Sequence, residues 1–307
     1  MDLTTTALIS DLKLTGMLPD GMFSDDDYIS FLNDGFFNSV LPFIMKRREE
    51  YFVTYTDYTY ADTLSIPSNA VGQKLRDIVR VSPSGDFLAN IPRLSYEEIS
   101  GSNYTYHMPG FYIENNSIKF YPKGSISDTI RMYYYRRPNY LQYHTTTVDG
   151  ATVYKNSLIS SATGAVCTYD GIDSTWTTST EIDVISHTQP YTVDTSYTIV
   201  DIDTGSSTIT LSSTGFAEGD YICARGDTVY PEIPYECREI LIQAAVLKGL
   251  ISIKDVNGVQ LCKEQLKDAE ERAADILTPR VDGEVKKIVN VSGIWSNRRS
   301  SRNRGWW

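Results

Sequence analysis

Residues 230–250 read YPEIPYECREILIQAAVLKGL, and the fold turns on them. Pro231 and Pro234 cannot donate to a sheet ladder, so they stop any strand before them and preset the backbone for the start of a helix. Beyond them Ile240, Leu241, Ala244, Ala245, Leu247 and Leu250 recur at helical spacing over a broad face, which predicts a well-buried helix. KDVNG at residues 254–258 breaks it, and a second, more charged helix is expected to run to Thr278 and Pro279.

The other end of the chain is also helical. Leu3, Ala7, Leu8 and Leu12 share one face before Gly16 and Pro19 end the first helix. A stronger helix follows Ser24, a natural N-cap; Asp25, Asp26 and Asp27 suit its positive end, Lys46 to Arg48 suit its negative end, and Pro42 is expected to bend it. The acidic triplet is read as capping rather than as a metal site, because consecutive helical residues point in different directions.

Between these ends the period changes. YFVTYTDYTY, TLSIP, LRDIVRVS, GFYIENNSIKFYP and TIRMYYYRRP are short alternating or β-branched runs broken by Pro, Gly and Asn. Asn115 and Asn116 can take the positive φ of a tight hairpin turn. Over residues 145–225 Thr, Ser and Asp dominate, and GAVCTYDG, TEIDVIS, YTIVDID, STITLSS and GDYICARGD read as strands of a small antiparallel domain. DIDTGSSTITLS opens like a calcium loop, but the twelfth position from Asp201 is Ser212, so a hairpin turn is the better reading. The RGD at residues 225–227 carries no weight as a tripeptide.

The expected class is therefore α+β: N-terminal helices over 1–50, a β-rich region over 51–144, an inserted β-domain over 145–225, C-terminal helices over 226–280 completing the helical core, and an extended basic and aromatic tail over 281–307.

Charge is divided unevenly. The net charge of the 307 residues is -11, yet after Glu284 there are six basic side chains and no acid, which leaves residues 1–284 with 22 basic against 39 acidic groups, a balance of -17. Such a body repels nucleic acid at long range. The chain ends SNRRSSRNRGWW, and a solubilising tail has no use for two terminal indoles. Arg298, Arg299, Arg302, Arg304, Trp306 and Trp307 combine planar cations with large aromatics, the ingredients of an anchor in another protein's surface. Tyr, at 22 residues, outnumbers Phe and Trp together and suits strands and wet interfaces.

Other classes find little support. Cys167, Cys223, Cys237 and Cys262 fit neither a zinc pattern nor a redox pair, and are expected to be free buried thiols in a reducing compartment. His107, His144 and His187 lie in unrelated segments. No GxSxG, HExxH, phosphate-binding loop or dinucleotide fingerprint occurs, so neither an enzymatic role nor a cofactor or metal is expected. The N-terminus lacks the order of a signal peptide and no apolar run approaches the roughly 18 residues of a membrane span, which predicts synthesis in the cytosol and no membrane association.

Taken in order, the two N-terminal helices, IRMYYYRRPNYL, the β insert closing on FAEGDYICARGD, YPEIPYECREILIQAAVLKGL and ILTPRVDGEVKKIVNVSG before an Arg-rich end resemble the head-to-tail adaptor, or connector, proteins of tailed bacteriophages. The resemblance covers nearly the whole chain and is sharpest at Tyr134–Pro138, Gly219–Gly226, Pro231–Pro234 and Pro279-Arg280. It implies a homo-oligomeric ring, of dodecameric type, docked beneath the portal protein at the capsid vertex of the virion, with a tail or nozzle protein below and DNA passing through the lumen without specific binding. The helices would form the ring wall and the C-terminal segment would reach into the portal, with Arg298, Arg299, Arg302, Arg304, Trp306 and Trp307 as portal-binding residues. Two other classes stay open on the residues alone: a tail-fibre or receptor-binding protein, from the Tyr- and Thr-rich insert, and a nucleic-acid-binding protein using the basic tail.

Overall fold

A computed structural model describes residues 3–19, 21–100, 109–124, 128–148 and 151–278. The chain is α+β, with a helical core drawn from both ends of the sequence and two β-modules between them.

Helix α1 (Thr5–Leu14) is capped by the Thr4 hydroxyl, which accepts from Ala7 N at 3.3 Å. Helix α2 (Asp25–Gly35) starts on a reciprocal box: Asp27 N donates to Ser24 Oγ, and Ser24 N donates to the Asp27 carboxylate at 2.9 Å. The Ser24 hydroxyl also donates to that carboxylate at 2.7 Å, and this bond together with the one from Ser24 N holds the Asp27 carboxyl below the usual range. The triplet of acids is thus capping and dipole chemistry.

Pro42 does not end this helix. A π-turn over Phe36–Val40 leads directly into α3 (Leu41–Arg47), with the proline in its first two positions. The wider turn shifts the hydrogen-bond register just where the proline has no N–H to contribute. A short 3-10 turn, Glu49–Phe52, then hands the chain to the sheets.

The first sheet has the order β1-β7-β3-β4, from β1 (Val53–Thr59), β7 (Thr129–Arg136), β3 (Ala70–Val81) and β4 (Phe87–Asn90), all antiparallel. The second comprises β2 (Thr63–Ser65), β6 (Ser117–Tyr121) and β5 (Gly110–Glu114). Ile78, Ile118, Phe120, Ile130 and Met132 share one buried cluster between them. Asn115 and Asn116 make the β5–β6 turn at φ 49° and 61°, as their side chains permit. A short helix, α4 (Tyr96–Ser100), follows Leu94.

Two strands bracket the next excursion. β8 (Tyr140–Leu141) pairs in parallel with β17 (Asp227–Thr228). The helical core grips this stem: Asn33 donates to Leu141 O at 2.9 Å and accepts from Leu141 N at 2.7 Å, while the buried Thr5 hydroxyl donates to Gln142 O at 2.9 Å. Beyond the stem, β9 (Thr145–Val148) and β10 (Ala151–Tyr154) form a separate hairpin. The rest closes into a barrel in the order β11-β12-β15-β14-β13-β16, built from β11 (Ser157–Thr163), β12 (Val166–Tyr169), β13 (Glu181–Ile185), β14 (Val193–Asp203), β15 (Thr208–Leu211) and β16 (Tyr221–Ala224). Its own core includes Ile159, Ile182, Tyr197, Ile199, Ile209 and Ile222. The calcium-like stretch is the β14–β15 turn, where Asp203 accepts from Gly205 N and from the Ser206 hydroxyl.

After a 3-10 turn at Tyr235–Cys237, α5 (Arg238–Ser252) runs through the helical core with Ile240, Leu241, Ala244, Ala245 and Leu250 buried and Leu247 half-buried. α6 (Val256–Leu277), capped by the Asp255 carboxylate on Gly258 N, turns Cys262, Ala269, Ala273 and Leu277 inward. All four cysteines are free and buried.

Gly35 sets how closely α2 and α5 approach. A Cβ there would lie 3.1 Å from Ala244 Cβ and 3.1 Å from Ala245 N. Gly35→Ala is expected to be near neutral, since its helix propensity, worth about 1 kcal/mol, offsets the crowding. Gly35→Val is expected to cost about 1–3 kcal/mol, because a branched side chain forces the helices apart. The shift in urea midpoint checks both, and a Val variant as stable as wild type would disprove the close packing.

Candidate assembly interface

The segments around residues 134–139, 219–227 and 231–234 converge where the barrel, the first sheet and the helical core meet. Arg136 on β7 pairs with the buried Glu232 through both guanidinium arms. Glu232 also accepts from Asn139 N at 3.0 Å, and the Asn139 amide reaches Asp183 on β13 at 2.7 Å and Asp227 O at 3.1 Å. Asp183, only 1% exposed, accepts in addition from Gly226 N at 2.8 Å and lies 3.7 Å from Arg225 Nε. Two aromatic contacts reinforce the join. Tyr191 stacks on Tyr230 with centroids 4.5 Å apart, and Tyr221 meets Tyr230 edge-on.

Burial pushes the Asp183 carboxyl up, against the pull of Gly226 N–H, Asn139 and Arg225. Burial and the neighbouring Asp183 push Asp227 up to about 6. The RGD tripeptide is therefore tied into the knot by all three residues. Burial pushes the Cys167 and Cys262 thiols up to about 11 and Cys237 to about 12, the reverse of what a nucleophilic thiol needs. Among the described residues no group of three His, Cys, Asp or Glu side chains is arranged to hold a metal. The arrangement joins modules.

The Asp227 carboxyl gives a pH signature. Its ordinary value is 3.8 and its folded value about 6, so the folded chain holds the proton more tightly, and the stability this confers is full below pH 3.8 and lost as pH rises through about 6. Asp227→Asn is expected to be more stable than wild type above pH 6, with the difference shrinking on acidification. Denaturation midpoints across that window check it; a variant weaker at neutral pH would show the carboxylate to be a net stabiliser. Asp170 and Asp173 act oppositely: burial raises them, but the bonds from His144 and Leu158 N to Asp170, and from Thr175 and Lys155 to Asp173, outweigh it, so their contribution is lost on acidification in both proteins.

Two histidines clamp the barrel. His144 contacts Asn156 O at 2.9 Å and Asp170 Oδ2 at 2.7 Å, and His187 meets Asp220 at 2.9 Å. His107 lies outside the described residues.

The residues read from the sequence as portal-binding, Arg298, Arg299, Arg302, Arg304, Trp306 and Trp307, also lie outside the described residues. The described chain reaches Thr278 at the end of α6, whose 22 residues span about 33 Å. At the other end of that helix, near the α5–α6 turn, Ile251 and Val256 are exposed; Leu18, in the loop between α1 and α2, packs against Gly249 there, and its neighbours Leu14 and Met22 are exposed as well. Sequence reasoning missed the knot. Its only local signal was the pair of Pro-rich and Gly-rich segments that flank it.

No helix among the described residues is long and apolar enough to cross a membrane. The sequence matches no protein-family model and no curated protein. What the coordinates define is a class: an α+β protein in which one helical core carries a sheet pair and a barrel on a clamped stem.

Proposed function

We propose that the chain is a structural protein of a tailed bacteriophage virion, a head-to-tail adaptor whose copies form a ring beneath the portal, extend the DNA channel and give the tail a platform. The observation that supports this most is the closure of α1–α3 onto α5 and α6: a helical wall from both chain ends, against which one side of the barrel is seated through Ile185, Tyr221 and Cys223. A module on a clamped stem can bind a tail protein without disturbing the wall. The acidic balance of residues 1–284 suits a conduit, since a basic lumen would hold the duplex by its phosphates and slow it. Arg and Trp at the C-terminus suit a groove on the portal. The reading assigns the protein no reaction.

The test is to mix the full chain with a portal protein from the same virion and image the product. A ring of adaptor copies capping one portal face is expected. A trimer that ignores portal and binds host-cell polysaccharide would replace this reading with that of a receptor-binding protein.

A further inference from the structure

Ring formation brings like-charged bodies together, so some surface must offset the repulsion. A hollow of about 530 Å3 between the two sheets has an apolar floor that includes Leu75, Ile91, Phe111 and Ile113. Lys74, Arg76 and Arg93 line it, against Asp77 as its one carboxylate. Asp77 contacts Arg76 at 3.5 Å with both side chains well exposed, which leaves the guanidinium mostly free. Among the described residues Arg93 forms no ion pair. The hollow lies beside the stretch of β3 whose ladder with β7 shifts register twice, between Ala70 and Leu75 and between Leu75 and Asp77. In a body so rich in acid, this concentration of positive charge over apolar surface stands out.

The complementary surface is on α6. Leu261, Glu264, Asp268, Glu271 and Asp275 recur at i, i+3, i+7, i+10 and i+14, and all are exposed. At about 100° per residue they form one narrow stripe opposite the seam of Cys262, Ala269 and Ala273. Of these four acids only Glu271 forms an ion pair among the described residues, a loose 3.7 Å contact to Lys267. Like charges three and four residues apart weaken a solvated helix, and Lys267 and Arg272, three or four places from the same acids, offset part of that cost.

We infer that the α6 stripe of one copy docks on the cationic hollow of the next copy, Leu261 facing the apolar floor and the carboxylates facing Lys74, Arg76 and Arg93. The two surfaces are different parts of the chain, so the contact is head-to-tail, the kind that propagates into a ring. This rests on the ring reading above and names its interface.

The test uses two full-length variants, Arg76→Glu with Arg93→Glu, and Asp268→Lys with Glu271→Lys, in sedimentation velocity, with circular dichroism as the check on folding. Wild type is expected to self-associate, less so at higher salt, and each variant alone to lose association by about tenfold or more. An equimolar mixture is expected to recover it, because each altered hollow then meets an altered stripe and each native hollow a native one. Variants that associate like wild type, or a mixture that stays dissociated, overturn the interface and leave the ring reading intact. A wild-type chain monomeric at every concentration also overturns the interface, and the ring reading is then decided by its own portal imaging.

Discussion

Glu232→Ala is expected to lower stability by about 3–5 kcal/mol, the usual cost of breaking a buried ion pair from one side. The Arg136 and Glu232 side chains are 19% and 6% exposed, so removing the carboxylate strands a guanidinium with little water to replace it. Asn139 N, which donates to the same carboxylate, loses its acceptor as well. Pairing the change with Arg136→Met should recover much of the loss, because the charge that needed Glu232 is gone. Chemical denaturation of the two variants and wild type measures this. A loss under about 1 kcal/mol, the range of a surface pair, would show that the knot does not hold the modules together.

Removal of residues 295–307 is expected to leave a folded chain that no longer docks stably on portal. The described helical core, sheets and barrel lie within residues 3–278, and the contacts among them given above involve none of the residues removed. The four arginines contribute on the order of 0–1 kcal/mol each if their pairs stay exposed, whereas buried Trp306 and Trp307 are worth about 2 kcal/mol or more apiece. Each such anchor corresponds to roughly thirtyfold in affinity, and the ring multiplies a modest contact by presenting it from every copy to one rigid target. Trp306→Ala with Trp307→Ala should therefore account for most of the truncation effect. Equal portal binding by truncated and intact protein, measured by co-sedimentation, would reduce the tail to a solvated basic end.

Features that depend on a few neighbouring residues were legible in the sequence. Ser24 and Asp27 announce the start of α2 because a capping box is complete within four positions. Asn115-Asn116 announces its hairpin because those residues tolerate positive φ. Ile240 to Leu250 announce a buried helix because period and apolar content need no knowledge of the partner. For the candidate site, the basic and aromatic C-terminus was legible as composition alone.

Tertiary structure decided the rest. β11 could not be recognised from SLISSAT, whose burial becomes sensible only when β12 and β16 flank it and the ladder closes. The π-turn that precedes Pro42 could not be read from the sequence, which offers only the proline. Asp183 and Asp203 are the same residue type in similar Thr- and Ser-rich strands, yet one is sealed in the knot and the other caps an exposed turn. What separates them is contact with Asn139 and Gly226, 44 and 43 positions away. Local preference acts over one turn of helix or one hairpin, whereas burial and charge pairing depend on which distant segments the folded chain brings together.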